Sequence, residues 1–161
     1  MFEVGKFPVS DASVLMALER IGHLSLLSQL FVKVIVPPKV FNEVFKGKTK
    51  PNWIDVKRPN RSIVTNGVRR TRIHPDKGET EAIALAWQQK TVLLIDDLKG
   101  RRAAEKFKIP VMGTLRILVE AKRKGFISKA QPLLYALEQT GRYIDKDLLQ
   151  WVLQEVGEVQ P

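Results

Sequence analysis

The run Thr91-Val92-Leu93-Leu94-Ile95, followed at once by Asp96-Asp97, constrains the fold more than any other part of this chain. Its continuous apolar character gives no polar face to point at water. It therefore reads as a strand covered on both sides, which means a parallel sheet between layers of helices. An acid placed directly after such a strand stands at its carboxyl end, the edge where open α/β sheets bind their ligands.

The surrounding pattern agrees. Phe7-Pro8-Val9-Ser10-Asp11 reads as a short strand ending on an acid, and residues 12–20 set Val14, Leu15, Ala17 and Leu18 on one helical face. Gly22 closes that helix, residues 24–31 form a second short one, and Val34-Ile35-Val36 is a β-branched strand. Pro37 and Pro38 suit the start of a third helix with Val40, Val44 and Phe45 inward. Residues 46–75 hold Pro51, Pro59, Gly47, Gly67 and one apolar patch, Ser62-Ile63-Val64. An irregular excursion is expected there, with room for one edge strand. Periodicity returns in a helix over 79–89, followed by the buried strand, a basic helix over 99–107 and a short strand over 109–112. Three helices follow near 114–124, 130–139 and 146–155, the last capped by Asp145. Strands alternating with helices predict one α/β domain over residues 1–161 with a mostly parallel sheet. Its core spans 7–112, and a helical C-terminal third over 113–156 packs against it.

Composition narrows the chemistry. The chain has 161 residues with no cysteine, which removes thiolate catalysis and cysteine-based metal sites, and its only histidines are His23 and His74. Lys and Arg number 27 against 17 acids, a formal charge of +10 that makes a polyanion the first partner to test. No stretch approaches the roughly 18 apolar residues of a membrane span, and the first residues do not read as a signal peptide. A cytoplasmic protein is expected. Gly47-Lys48-Thr49 echoes the end of a phosphate-binding loop, but position 42 is Asn rather than Gly.

Within that frame, Asp11 and Asp96-Asp97 end strands, while Glu43 and Glu79 lie near helix starts facing the same edge. If they converge, the carboxylates repel one another unless a cation neutralises them. Hard oxygen ligands without His or Cys select Mg²⁺ or Mn²⁺, which can activate water against a phosphodiester. Each acid also has a plainer explanation. Asp11 and Asp97 can be helix caps, Glu43 can pair with Lys39 or Lys46 in solvent, and Glu79 and Glu81 suit the first turn of a helix. Asp96 is the hardest to account for in this way.

The segments Val9-Ser10-Asp11-Ala12-Ser13-Val14-Leu15 and Val36-Pro37-Pro38-Lys39-Val40-Phe41-Asn42-Glu43-Val44 resemble the first two acidic motifs of PIN-domain ribonucleases. Asp76-Lys77-Gly78-Glu79-Thr80-Glu81-Ala82 and Ile95-Asp96-Asp97-Leu98-Lys99-Gly100-Arg101-Arg102 resemble the third and fourth. The wording is closest to a branch of stand-alone prokaryotic PIN proteins. The resemblance implies a three-layer α/β/α sandwich and a Mg²⁺- or Mn²⁺-dependent endoribonuclease acting on single-stranded RNA. It further implies kinship with toxins of toxin–antitoxin pairs, often dimeric and silenced by a small antitoxin protein. Carried across, Asp11, Glu43, Glu79 and Asp97 take the catalytic and metal positions with Asp96 adjacent, and Glu81 is the alternate to Glu79. Ile95 stands where the toxins usually carry Thr or Ser, and the excursion is longer than a compact toxin needs. The competing class is a non-catalytic PIN-like module that binds RNA or a partner protein.

Lys99, Arg101 and Arg102 open the helix after Asp96-Asp97, where they could grip phosphates or simply balance the acids. Arg69 and Arg70 belong to the basic stretch from 57 to 72, a candidate RNA contact or a solvated loop. Trp87 and Trp151 fall on apolar helical faces and read as core. Trp53 could stack on a base or pack against the body.

Overall fold

The structure is a computed structural model that describes residues 6–60, 66–68, 70, 73 and 75–158. Its centre is a five-stranded, all-parallel sheet. Strands β1 (Val9–Ser10), β2 (Val34–Val36), β3 (Ile54–Val56), β4 (Leu93–Leu94) and β5 (Val111–Met112) lie in the order β3-β2-β1-β4-β5. The order reverses between β1 and β4, so the two acid-terminated strands are neighbours at the point where such sheets open a crevice.

The two-residue period of each strand divides the core into two layers. Val9, Ile35, Leu93 and Ile95 point to one side, where they pack with Ala82, Ile83, Leu85, Ala86, Ala103 and Ala104. These alanine-rich faces belong to α4 (Lys77–Gln89) and α5 (Leu98–Lys106), and small side chains let both helices lie close to the sheet. Val34, Val36, Ile54 and Leu94 point to the opposite side. There they meet α1 (Ala12–Arg20), α2 (Leu26–Phe31) and α3 (Pro38–Phe45), together with α6 (Thr114–Arg123), α7 (Gln131–Gln139) and α8 (Lys146–Glu155). The result is the expected three-layer α/β/α sandwich, with the C-terminal helices on the α1–α2 side.

Local signals explain the boundaries. Pro38 occupies the first turn of α3, where its missing N–H costs no hydrogen bond. After α1, Gly22 takes a positive φ of 74°, its N–H reaching Glu19 O and that of His23 reaching Leu18 O. That left-handed exit closes the helix and suits glycine. Asp145 caps α8 by accepting from the N–H groups of Asp147 and Leu148. The edge strand of the 46–75 excursion is Ile54–Val56, held on β2 with only Ile54 buried. The apolar patch at 62–64 lies outside the described residues.

The tryptophans correct the expectation for them. Trp87 is 47% exposed and Trp151 39% exposed. Each follows or precedes the inward residue, Ala86 or Val152, and is rotated about 100° off the buried stripe. Trp53 is half-buried against the α1–α3 side of the core. Among the described residues no helix is long and apolar enough to cross a membrane.

Leu94 is fully buried at the middle of the sheet. Leu94→Ala should lower the unfolding free energy by about 2–5 kcal/mol in urea titration with an unchanged m-value. A loss below about 1 kcal/mol would contradict the central placement of β4.

Candidate active site

The β1–β4 pairing brings two chain segments to one edge. Asp11 caps α1, accepting from the Ser13 hydroxyl at 3.0 Å and the Ser13 N–H at 3.4 Å, and is only 4% exposed. The same Ser13 hydroxyl accepts from the N–H of Asp96 at 3.0 Å. One serine oxygen therefore ties the end of β1 to the end of β4. Burial raises the Asp11 carboxyl above the ordinary range, opposed by the hydrogen bonds from Ser13 and Ala12.

Glu79 enters the same edge from α4. Its carboxylate accepts from the Asp76 N–H at 3.2 Å, while Asp76 accepts from the Glu79 N–H at 2.7 Å, a reciprocal capping box. Glu79 is buried, and its carboxyl is pushed up to about 7, first by desolvation and then by the negative charges of Asp76, Asp97 and Asp11. Asp97 is exposed at the start of α5, where it caps the helix by accepting from Gly100 N–H at 3.0 Å. Gly100 lets that turn lie so close: a Cβ there would stand 2.4 Å from Ile95 Cδ1 and 3.6 Å from Glu79 Cδ. The capping roles considered for Asp11 and Asp97 are thus real, and they fix both carboxyl groups beside Glu79.

The other candidates are placed differently. Glu43 is exposed on α3 and reaches the first turn of α4, where a Cβ on Gly78 would lie 3.5 Å from its Oε1 and 3.4 Å from Asp76 Oδ1. Among the described residues it forms no ion pair with Lys39 or Lys46. Glu81 reaches the start of α3, its carboxylate accepting from the Lys39 N–H at 3.4 Å. Asp96 departs most from the sequence reading. Its carboxylate accepts from the Thr114 N–H at 2.8 Å, the Thr114 hydroxyl at 2.5 Å and the Arg142 guanidinium at 2.9 Å. It is a link to α6 and to the turn before α8, held by a cation the sequence reading did not consider. Of the basic residues, Lys99, Arg102 and Arg70 are exposed and Arg101 is half-buried, while Arg69 lies outside the described residues.

Asp76 also went without a role, although its spacing of three residues to Glu79 is the capping-box signature. Thr114 and Arg142 carried no such local signal, because they meet Asp96 from 18 and 46 residues away, and the second contact of Ser13, with Asp96, spans 83. Among the described residues no three carboxylates close on one point as a ready cage for an ion. Asp76, Asp97 and Asp11 instead lie around Glu79, each near enough for its charge to act on it, and Glu43 reaches the same first turn of α4.

The raised Glu79 carboxyl has a measurable consequence. Unfolding returns it from about 7 to its ordinary 4.5, so its charge opposes folding increasingly as pH rises through that window. Glu79→Gln keeps a capping acceptor and removes the charge. In EDTA its melting temperature should match wild type near pH 4.5 and exceed it by a few degrees at pH 8. Identical pH profiles for the two proteins would refute the charge crowding at this edge.

A search among curated proteins found no match to the chain. A family model for the PIN domain matches residues 7–158, nearly the whole chain and every element described above. By that match and by its parallel α/β/α architecture, the chain belongs to the PIN-domain family.

Proposed function

We propose that this PIN domain is a Mg²⁺- or Mn²⁺-dependent endoribonuclease acting on single-stranded RNA. The observation that carries the reading is the crowding of Glu79 by Asp76, Asp97 and Asp11 at the sheet's switch point, with Asp11 almost wholly buried. Such a group holds more negative charge than its own hydrogen bonds offset, and a cation relieves it. Its donors are carboxylate oxygens alone, which fit Mg²⁺ or Mn²⁺.

Asp11, Glu79 and Asp97 are the residues that would hold the ion, with Glu43 at the margin and Asp96 in support only if released from Arg142. A divalent cation supplies Lewis acidity toward a phosphodiester and its attacking water. The chain's own contributions are separable from that. Ser13 fixes the Asp11 carboxyl through its hydroxyl, and the capping box fixes that of Glu79. Without a cation Glu79, near 7, can hold a proton at neutral pH, and a bound cation would favour its charged form. Lys99, Arg101 and Arg102 sit within the first turns of α5, next to Asp97, and suit phosphates flanking a scissile bond. In this reading the chain acts as a toxin, dimeric and restrained by an antitoxin protein in the cytoplasm. That role is supported by the family resemblance.

One observation favours the non-catalytic alternative: among the described residues no three carboxylates close on one point, and Asp96 is already satisfied by Arg142 and Thr114. A single pair of assays separates the two. The purified protein should cleave single-stranded RNA in Mn²⁺ or Mg²⁺, and Asp11→Asn or Asp97→Asn should each reduce cleavage at least ~100-fold. Asn caps helices well, so both variants should keep the wild-type circular dichroism spectrum. Saturating Mn²⁺, at ~100 times its Kd, should raise the wild-type melting temperature by about 5–10 °C. Absence of both cleavage and a melting shift at millimolar Mn²⁺ would leave the binding module as the function.

A further inference from the structure

We propose that a second site on this chain, a basic cleft along the outer edge of β5, holds the single-stranded RNA on one side of the carboxylate edge. The cleft has a volume of about 770 Å³ and runs the length of the strand, from Thr91 and Pro110 at one end to Asp96 and Gly113 at the other. Five cations line it: Lys6, Lys90, Arg101, Arg116 and Arg142. Among the described residues the only acid in its walls is Asp96, which Arg142 pairs with at 2.9 Å, while Arg116 is bridged at 3.2 Å by Glu120, one turn further along α6. Trp151 of α8 stands in the same wall, 39% exposed.

A cleft lined by cations and one accessible indole suits a strand that carries a charged phosphate backbone and bases with flat faces. A peptide added to the open edge of β5 is the other occupant to weigh. That strand is two residues long, so an added strand would gain few main-chain hydrogen bonds. The charge and the tryptophan therefore favour nucleic acid.

The cleft also meets the carboxylate edge directly. Its upper end is formed by Asp96 and Arg101, and Asp96 adjoins Asp97, the cap of α5. A strand lying along β5 would thus emerge at the acids that the ribonuclease reading places at the scissile bond. The inference rests on that reading for the identity of the ligand, but Lys6, Lys90, Arg116 and Trp151 are distinct from the carboxylates.

The test is fluorescence anisotropy in EDTA, where no cleavage occurs, with the full chain and a labelled single-stranded RNA of about ten nucleotides. Arg116→Ala should weaken binding several-fold and lower the salt slope by about 0.7. Trp151→Leu should weaken it about fivefold or more, and Trp151→Phe should restore affinity to within about twofold of wild type. Lys124→Ala removes the same charge at the exposed end of α6, away from the cleft, and should leave affinity unchanged. Melting temperatures check that each variant is folded. Equal losses for Arg116→Ala and Lys124→Ala, with Trp151→Leu neutral, would show attraction by bulk charge and overturn the proposal. Binding of an oligoglutamate peptide that follows the cleft variants, while RNA binding does not, would assign the cleft to a protein and overturn it as well. RNA cleaved in Mn²⁺ but bound independently of these residues removes the cleft alone. Cleft-dependent binding without any cleavage removes the catalytic reading alone.

Discussion

The pairing of β1 with β4 is the contact on which the rest of the carboxylate edge depends. Val9 aligns with Leu93 and Ser10 with Leu94, so the next residue on each strand leaves the sheet at the same level. Asp11 then turns into α1 and Asp96 toward α6, with the Ser13 hydroxyl shared between the two segments. A one-residue slip in this register would exchange the inward and outward faces of β4 and separate the acids. The apolar packing of Leu93, Leu94 and Ile95 against both helical layers opposes that slip.

This arrangement sets two demands against each other. Burying Asp11 and Glu79, and then crowding Glu79 with three negative neighbours, raises both carboxyl groups, a cost to folding that ordinary core packing must offset. The capping box and the helix caps reduce it, since Asp11, Asp76 and Asp97 each accept a backbone N–H at a positively polarised helix start. Asp96 is treated differently, neutralised by Arg142 in contact with the basic cleft. The +10 charge is thus unevenly divided. Cations line the β5 edge while acids crowd around Glu79 nearby, and a polyanion attracted by the first meets repulsion at the second.

Much of the architecture was legible because its signals are local. The buried run before Asp96, the prolines ahead of α3 and the glycine after α1 each act within a few residues, and the elements appear where they were expected. The acids after β1 and β4 followed from the same logic. The excursion was harder: β3 is a strand because β2 offers an open edge, and only Ile54 of its residues is buried. Trp87 and Trp151 misled because helical periodicity locates an apolar stripe more coarsely than the 100° step between neighbours requires.

By itself the sequence determined the parallel α/β class, the order of the elements, and the restriction of any metal chemistry to carboxylates. Each of these follows from composition or short-range periodicity. Only the tertiary structure decided which acids face one another. It set Glu79 beside Asp11 and Asp97, sent Glu81 toward α3, and bound Asp96 to an arginine 46 residues away. The physical reason is range: a hydrogen bond or a Coulomb contact acts over a few ångströms, and only the closed sheet brings distant segments within them.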